Sequence, residues 1–454
     1  MVNFCSGSIF VFMKKKRKGK IQKRVEDIYS LIGNEEDARI CKDISEEACR
    51  HVPVNFFLII ISNTFTKLGD ALSNPKTVLA WLMSYVNAPI FLISFLVPIR
   101  ESGSMLPQIF IASYIRKLPV RKWIWVIGSI MQFAAIAGIG VVTFFFHGVT
   151  AGWLIILLVI LFSLSRGLSS VASKDVMGKT IPKTRRGRLN GFSTAISGIL
   201  VLLAGLFMMS RSSQDPGIEF YAYIIFFAAV LWILGALVYS NIREYPGETA
   251  GGGNAFREAI ARLELLKNDR PFRNFVISRS LLLCSALTAP FYIILSHEFL
   301  GKDIYILGLF VIVNGIASAI SAPVWGGMAD RSSKGVMVKG ALITAILGII
   351  MFVIVTWVPA VRVMRWIYPA AIFILGIAHS GVRLGRKTYI VDMAGGNKRT
   401  DYVAVSNTII GLVLLITGGI TALASVISAE GVIAILSLFG FAGAYTSSKL
   451  PDVE

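Results

Sequence analysis

The sequence contains few charged residues for a chain of its length. Only 16% of its 454 residues are Asp, Glu, Lys or Arg, whereas 55% are hydrophobic. Because a soluble globular protein carries about 25% charged residues, this chain has too little polar surface to cover a water-exposed globule. The composition therefore excludes an ordinary soluble protein and indicates that lipid is its main solvent.

Groups that bind metals or nucleotides are also scarce. The chain has four cysteines without metal-ligand spacing and four scattered histidines, so we expect no metal site. It contains neither the G-x-x-x-x-G-K-[ST] phosphate-binding loop nor a kinase-like glycine loop. No nucleophile–base constellation stands out. We therefore expect no cofactor and no enzymatic activity, and no nucleotide as a source of energy.

Acidic residues are outnumbered, with 26 Asp and Glu against 45 Lys and Arg and a net charge of +19. In a soluble protein such an excess suggests a nucleic-acid partner. Here, however, most basic residues lie in short segments between apolar runs, where they would set membrane orientation. The expected partner is a lipid bilayer and not nucleic acid.

Long apolar segments dominate what is present. A bilayer core of ~30 Å requires ~20 residues at a rise of 1.5 Å per residue, and twelve segments are long enough. The predicted spans are 54–74, 88–113, 123–146, 152–173, 191–210, 220–240, 274–295, 304–327, 338–358, 367–390, 403–427 and 430–447. The apolar stretch after Pro75 is interpreted as an extracytoplasmic extension of the first span. The sequence thus predicts an all-α polytopic membrane protein.

Basic residues predict the orientation. With the N-terminus inside, most Lys and Arg fall in cytoplasmic segments, and only Lys76, Arg211, Lys302, Arg362 and Arg365 fall outside. This bias follows the positive-inside rule and predicts that both termini are cytoplasmic. We expect an integral plasma membrane protein, in a bacterial cell the inner membrane.

The two halves of the chain resemble each other. Arg166 precedes Asp175 by nine residues, and Arg383 precedes Asp392 by the same spacing; a short basic loop follows each pair. Such duplication is typical of transporters whose halves move around a central site. It predicts two pseudo-symmetric six-helix bundles. The expected parts are a cytoplasmic arm, a first bundle, a cytoplasmic linker, a second bundle and a cytoplasmic tail, at 1–52, 53–242, 243–273, 274–448 and 449–454.

The loop after the eighth predicted span carries a family resemblance. Residues Gly326 to Lys334 read Gly-Gly-Met-Ala-Asp-Arg-Ser-Ser-Lys, which resembles the cytoplasmic G-x-x-x-D-R-x-G-R loop of the major facilitator superfamily. The resemblance implies a twelve-helix transporter fold and a conformational latch at Gly326, Asp330 and Arg331. In the first half the equivalent loop has Arg116 where the family usually has aspartate.

The resemblance extends to the segment between the fourth and fifth spans. With the internal repeat, it assigns Asp175, Arg186 and Asp392 to the same latch. The fifth span lacks the proline of the family's drug-antiport motif, which favours uptake by symport over drug export. The degenerate first-half loop and the arm 1–52 keep a second class open, a non-transporting assembly factor or sensor that reuses this fold.

Several ionisable residues lie within predicted spans, where each costs ~2.5–3.5 kcal/mol or more and therefore usually faces a cavity. The candidates for a proton-coupling site or solute cavity are Lys67, Asp70, Arg100, Glu101, Arg166, Arg279, His379 and Arg383. One interpretation is an internally neutralised structural network. The other is that Asp70 or Glu101 takes up and releases a proton as access alternates. His379, a lone histidine, is more often a hydrogen-bonded packing residue than a proton relay.

The cations within the predicted spans indicate the charge of the solute. Lys67, Arg100, Arg166 and Arg279 outnumber the acids Asp70 and Glu101. Because desolvated arginines bind carboxylate and phosphate groups through paired hydrogen bonds, we expect a small anionic solute. The leading hypothesis is a proton-coupled secondary transporter that works by alternating access.

Overall fold

The computed structural model describes residues 46–108, 111, 114–115, 117–211, 217–247, 249, 264–329, 331–393, 398–426 and 428–453. Most of the predicted N-terminal arm, much of the predicted linker, and Asp330 lie outside these residues. Within them, every regular element is a helix.

Twelve helical segments make up the membrane domain. They are α1 Val52–Leu72, α2 Ile90–Met105, α3 Lys122–Phe145, α4 Gly148–Thr180, α5 Lys183–Ser210, α6 Gly217–Ser240, α7 Arg270–Leu300, α8 Ile304–Ala329, α9 Ser333–Trp357, α10 Ile367–Met393, α11 Lys398–Ser425 and α12 Ala429–Ser448. Eleven of them are long and apolar enough to cross a membrane, counted over the described residues. The exception is α2, whose 16 residues fall short of a full span. The short helices are Glu46–Cys49, Val78–Tyr85, Leu265–Asn268 and Pro359–Arg362.

The seventh helix is broken into three pieces, Arg270–Leu281, Cys284–Leu287 and Ala289–Leu300. Pro290 stands in the first turn of the last piece. Because proline has no N–H to donate to the preceding turn, it begins a helix more readily than it continues one. The break places Ser285 and Ala289 on the wall of an internal cavity.

Helix packing repeats between the two halves. In the first half α1 packs on α5 and α6, α3 on α4 and α6, and α2 on α4. In the second half the helices six positions later make the same pairs: α7 with α11 and α12, α9 with α10 and α12, and α8 with α10. This correspondence confirms the predicted architecture of two pseudo-symmetric six-helix bundles. The bundles meet along α2 with α11 and α5 with α8.

The surface of the bundles is apolar where it would meet lipid. Large side chains such as Leu157, Leu203 and Leu423 are 59%, 54% and 75% exposed. A soluble monomer rarely exposes apolar surface on this scale. The protein is therefore an integral membrane protein, as the composition predicts.

The interpretation of residues 75–88 as an extension of the first helix is wrong. The first helix ends at Leu72, and Val78–Tyr85 forms a separate short helix after a turn at Asn74 and Pro75. This short helix, named the plug helix here, buries every residue from Val78 to Met83. It packs against α7, α8 and α2. An apolar segment too short to span gains most by filling the space between the bundles.

Candidate solute cavity

A cavity of about 290 Å³ lies between the two bundles. Its N-terminal wall comes from α1, the turn before the plug helix, α2 and α4. Its C-terminal wall comes from α7, α8 and α10. The charged and imidazole side chains that line it are Asp70, Lys76, Arg100, Glu101, Arg166, His379 and Arg383.

Asp70 is shared by two arginines on the N-terminal wall. Arg100 Nη2 lies 3.3 Å from Asp70 Oδ1, and Arg166 Nη1 forms an ion pair with Asp70 Oδ2. The Arg100 guanidinium also lies 4.6 Å from the ring centroid of Phe162. One carboxylate thus balances two guanidiniums, so this triad keeps one uncompensated positive charge. Arg166 remains 34% exposed and retains donors for another group.

Lys76 links the two walls. Its Nζ lies 3.0 Å from His379 Nε2 on α10, and His379 Nδ1 lies 3.1 Å from Ser285 Oγ on α7. Because an ammonium group can only donate, His379 Nε2 accepts and its Nδ1 carries the hydrogen. His379 is therefore neutral in this arrangement. The chain of hydrogen bonds ties the first bundle to the second beside the cavity.

Lys76 is the functional candidate that sequence reasoning missed. The charge count assigns it to an external loop, whereas the turn at Asn74 and Pro75 directs it into the cavity. The available signal was a helix-breaking Asn-Pro pair followed by a lysine and a short apolar run. Because an external loop faces water, an apolar run is unfavourable there. Its composition therefore indicates that the run is buried within the protein.

Glu101 is the second acid of the cavity. The cations that act most strongly on its carboxylate are Lys76, Arg100 and Arg386. Arg383 lines the opposite wall on α10 and is exposed to the cavity. Of the lining groups in the described part of the chain, four are cations and two are carboxylates. With a neutral histidine, the cavity walls carry an excess of two positive charges.

Two of the predicted cavity residues lie elsewhere. Lys67 Nζ donates to Thr194 Oγ1 on α5 at 2.6 Å and lines a different cavity. Arg279 is 7% exposed and donates to Ser406 Oγ and Asn407 Oδ1 at 2.6 and 2.9 Å, so it fastens α7 to α11. The other six predicted residues, Asp70, Arg100, Glu101, Arg166, His379 and Arg383, line the central cavity together.

Asp175, predicted for the latch, belongs to an ionic network at the end of α4. It pairs with Arg121 and with Lys179, whose Nζ lies 3.0 Å from Asp175 Oδ2 and 3.2 Å from Glu244 Oε1. Glu244 in turn accepts from the backbone N–H of Lys122 at 2.7 Å. The network joins α3, α4 and the chain that follows α6 within the first bundle.

Arg186 caps α4 rather than pairing with Asp175. Its Nε donates to the carbonyl of Ile181 at 2.9 Å and its Nη2 to that of Gly178 at 2.8 Å. A cation is favourable at this position because the last carbonyls of a helix lack intrahelical partners and carry partial negative charge. Arg186 therefore fixes the tight turn between α4 and α5.

Among the described residues, no comparable ionic network surrounds the second-half latch residues. A Cβ added at Gly326 would meet no atom within 4 Å. Arg331 and Asp392 are exposed, and Asp330 lies outside the described residues. No described helix therefore packs closely against Gly326 in this conformation.

Two matching six-helix bundles around one polar, charge-lined cavity define a membrane transporter fold. The sequence model of the Major Facilitator Superfamily matches residues 59–418, and the chain belongs to that family. No curated protein matches the chain significantly.

Solved structures of the same fold are similar along most of the chain. The inward-open xylose transporter XylE from E. coli is 13% identical with a TM-score of 0.62, covering 88% of this chain and 96% of its own. The nucleoside transporter NupG is 12% identical with a TM-score of 0.63, covering 87% and 98%. A POT family transporter in complex with 5-aminolevulinic acid is 11% identical with a TM-score of 0.65, covering 87% and 95%. At these identities the likeness shows the fold alone.

Proposed function

We propose that the protein is a secondary transporter that carries a small anionic solute across the membrane by alternating access, coupled to protons. The observation that carries this proposal is the charge of the central cavity, where four cations face two carboxylates. Because an unpaired charge at membrane depth is costly, the excess cations need a negatively charged ligand. A carboxylate or phosphate group matches their geometry, since guanidinium donors bind such groups in pairs.

The positions of the arginines suit a ligand that bridges the bundles. Arg166 lies on the N-terminal wall and Arg383 on the C-terminal wall, and both are accessible from the cavity. An anion held between them would draw the two bundles together. Such a ligand favours the occluded conformation over the open one, which is the requirement for alternating access.

Glu101 is proposed as the proton carrier. Asp70 is already held as a carboxylate by two arginines, so protonation there would break both ion pairs. A solute anion in the cavity places a second negative charge beside Glu101, which favours its protonated form. Proton and anion would therefore enter the cavity together, as in symport.

The plug helix is proposed as the outer gate. Ser84 Oγ lies 2.7 Å from His297 Nδ1 on α7, and Lys302 Nζ donates to the carbonyl of Tyr85 at 2.9 Å. These contacts close the end of the cavity where α1 connects to α2. With cytoplasmic termini in a bacterial inner membrane, as the basic residues predict, this end faces outward.

The latch role remains a proposal for Gly326, Asp330, Arg331, Asp175, Arg186 and Asp392. The ionic network at Asp175 and the cap at Arg186 support a rigid first-half element. In this proposal the second-half loop engages only when the cytoplasmic ends of the bundles close. That conformation would bring Gly326 into contact with a neighbouring helix.

Proteoliposomes provide the test. Purified protein should accumulate radiolabelled organic anions when an inward proton gradient is imposed, and neutral sugars should neither enter nor compete. Glu101→Gln should abolish accumulation but preserve exchange of internal for external solute, because exchange requires no net proton movement. A non-transporting assembly factor or sensor would give no flux in either assay, and its role would survive Asp70→Asn and Glu101→Gln.

A further inference from the structure

A second cavity lies in the first bundle, lined by α1, α3 and α4 and partly open to the outside of the bundle. Its volume is about 240 Å³, enough for several water molecules. Asp70 and Arg166 line both this cavity and the central one. Asp70 and Arg166, which are ion-paired, thus form the wall that the two cavities share, and an acid group bound at Arg166 would lie at the edge of this second cavity, called the hydroxyl pocket below.

The hydroxyl pocket is lined mainly by neutral hydroxyl and amide groups. Serines of α4 and the side chains of Asn63, Thr66, Ser129 and Gln132 provide donors and acceptors on several sides. Its charged lining residues are Lys67, Asp70, Arg166 and Lys174. Hydroxyl and amide residues are seven of the twelve described lining residues, against six of eighteen in the central cavity. Neutral donors and acceptors recognise hydroxyl groups, because each can both accept and donate one hydrogen bond to a ligand hydroxyl.

Two buried polar groups on α3 lack a partner among the described residues. Gln132 is 2% exposed and its Nε2 donates to Gly128 and to Ser169 Oγ at 3.1 and 3.0 Å, but its Oε1 has no hydrogen-bond partner. Ser129 is 0% exposed and its Oγ is also unpartnered. Because an unsatisfied buried polar atom costs about 1–3 kcal/mol, a ligand hydroxyl that reached either atom would be favoured, and a small side-chain movement is needed to expose them to the pocket.

We infer that the transported anion carries hydroxyl groups and that the hydroxyl pocket binds its hydroxylated body, with Ser129 and Gln132 as specificity-determining residues. The acid group lies at Arg166, where the two cavities meet, and the polyhydroxylated part lies between α1, α3 and α4. The solute class is a hydroxylated organic acid or phosphate ester. This inference rests on the proposed transport of an anion and adds the chemistry of the rest of the solute.

Matched anions test the inference by binding. The melting temperature of the purified full-length protein in detergent would be measured against increasing ligand, since a ligand that binds the folded state raises it. The probes are gluconate against hexanoate, and glycerol phosphate against propyl phosphate, each pair differing in hydroxyl groups. We expect the hydroxylated member of at least one pair to bind tighter than its plain counterpart by roughly tenfold or more.

Single substitutions then test which residues distinguish the hydroxylated anion from the plain anion. Ser129→Ala and Gln132→Leu should each weaken the hydroxylated anion by about fivefold to tenfold and leave the plain anion unchanged. Thr143→Val is the matched control, because Thr143 is also a buried hydroxyl of α3 but lines neither cavity. It should behave as the wild type with all four probes. Because Ser129→Ala removes a single oxygen, it keeps the test available if Gln132→Leu folds poorly.

Results that contradict the pocket assignment differ from results that contradict anion transport. Equal binding of hydroxylated and plain anions by the wild type, or equal weakening of both by the variants, would mean that the pocket holds water only. That result would overturn the pocket assignment and leave anion transport standing. If none of the four anions shifts the melting temperature and none enters proteoliposomes, the proposed function fails together with this inference.

Discussion

At the scale of single residues, the shared carboxylate of Asp70 determines how the cavity is charged. Arg100 and Arg166 both pair with this carboxylate, so each of these two cations is held in place by an ion pair. A paired arginine keeps its position when the solute leaves. The cavity can therefore attract anions without collapsing between transport cycles.

Arg383 is the cation on the opposite wall, and its charge and shape can be tested separately. Arg383→Gln should weaken anion binding by roughly tenfold to a hundredfold, as expected when a charge-assisted hydrogen bond of about 1.5–3 kcal/mol is lost. Arg383→Lys should recover part of the affinity, since lysine restores charge but not the paired donors. Competition against a labelled anion in proteoliposomes measures both. Unchanged affinity in Arg383→Gln would remove this residue from the site.

Lys76 offers a second test at this scale, because it bonds to His379 rather than to an acid. Lys76→Met should break the hydrogen-bonded chain between the bundles and reduce both anion affinity and transport. Lys449→Met serves as the comparison, since Lys449 is also a lysine but lies at the end of α12, outside both cavities. Lys449→Met should leave equilibrium affinity near the wild-type value. Equal loss of affinity in both variants would contradict a cavity role for Lys76.

Sequence reasoning was more successful for some residues than for others. Charge within an apolar run identified Asp70, Arg100, Glu101 and Arg166, because burial in lipid is costly enough to make such residues functional candidates. The same rule assigned Arg279 to the cavity, where instead it is satisfied by Ser406 and Asn407. Depth along a helix can be predicted from sequence, but the direction of a side chain depends on which helix packs beside it.

At the scale of elements, the plug helix is the part that sequence periodicity could not position. Its eight residues are too few for a span and carry no polar face, so only tertiary packing decides where they lie. Trp81 is 0% exposed and its ring lies 4.7 Å from that of His297 and 6.3 Å from that of Phe310. These contacts attach the plug to the second bundle.

Removal of the Trp81 side chain should therefore open the outer end of the cavity. Trp81→Ala leaves a void where a large ring was buried, which costs ~3–5 kcal/mol in a tightly packed site. A cysteine introduced at Ser318, on the cavity wall, would report access to an impermeant thiol reagent added outside right-side-out vesicles. We expect slow labelling in the parent and faster labelling with Trp81→Ala. Equal rates would contradict the gate.

The turn between α4 and α5 gives a prediction about stability. Arg186→Met removes two hydrogen bonds to the carbonyls of Gly178 and Ile181, and should cost about 1–3 kcal/mol. Arg273→Met, which changes an exposed arginine of α7, is the control and should cost less. Thermal unfolding in detergent compares the two. Equal decreases in the unfolding temperature of the two variants would contradict a stabilising role for the Arg186 cap.

At the scale of the whole molecule, the internal repeat was the most predictive feature of the sequence. The spacing of Arg166 and Asp175, repeated at Arg383 and Asp392, predicted two related bundles, and the pairwise packing of helices six positions apart confirms them. The repeat is visible in the sequence because equivalent helices pack against each other in both halves and need similar residues at equivalent positions. The interface between the halves is not repeated in this way, so its contacts had to come from the structure.

That interface depends on glycines that allow helices to touch. On α11 a Cβ added at Gly418 would lie 2.5 Å from Cγ of Pro98 on α2, whereas one added at the adjacent Gly419 would meet nothing within 4 Å. The proline ring is rigid and cannot turn aside. The bundles must therefore separate along α2 and α11 to accommodate a methyl group at Gly418, but not at Gly419.

Gly418→Ala should consequently shift the protein away from the conformation in which the proposed outer gate is closed. We expect faster outside labelling of a cysteine at Ser318 and slower transport, because a carrier biased to one side spends less time in the other. Gly419→Ala should transport normally and unfold at an equal or slightly higher temperature, because alanine is the better helix former by up to about 1 kcal/mol. Matching labelling and transport in the two variants would mean that α2 and α11 do not govern the movement of the bundles.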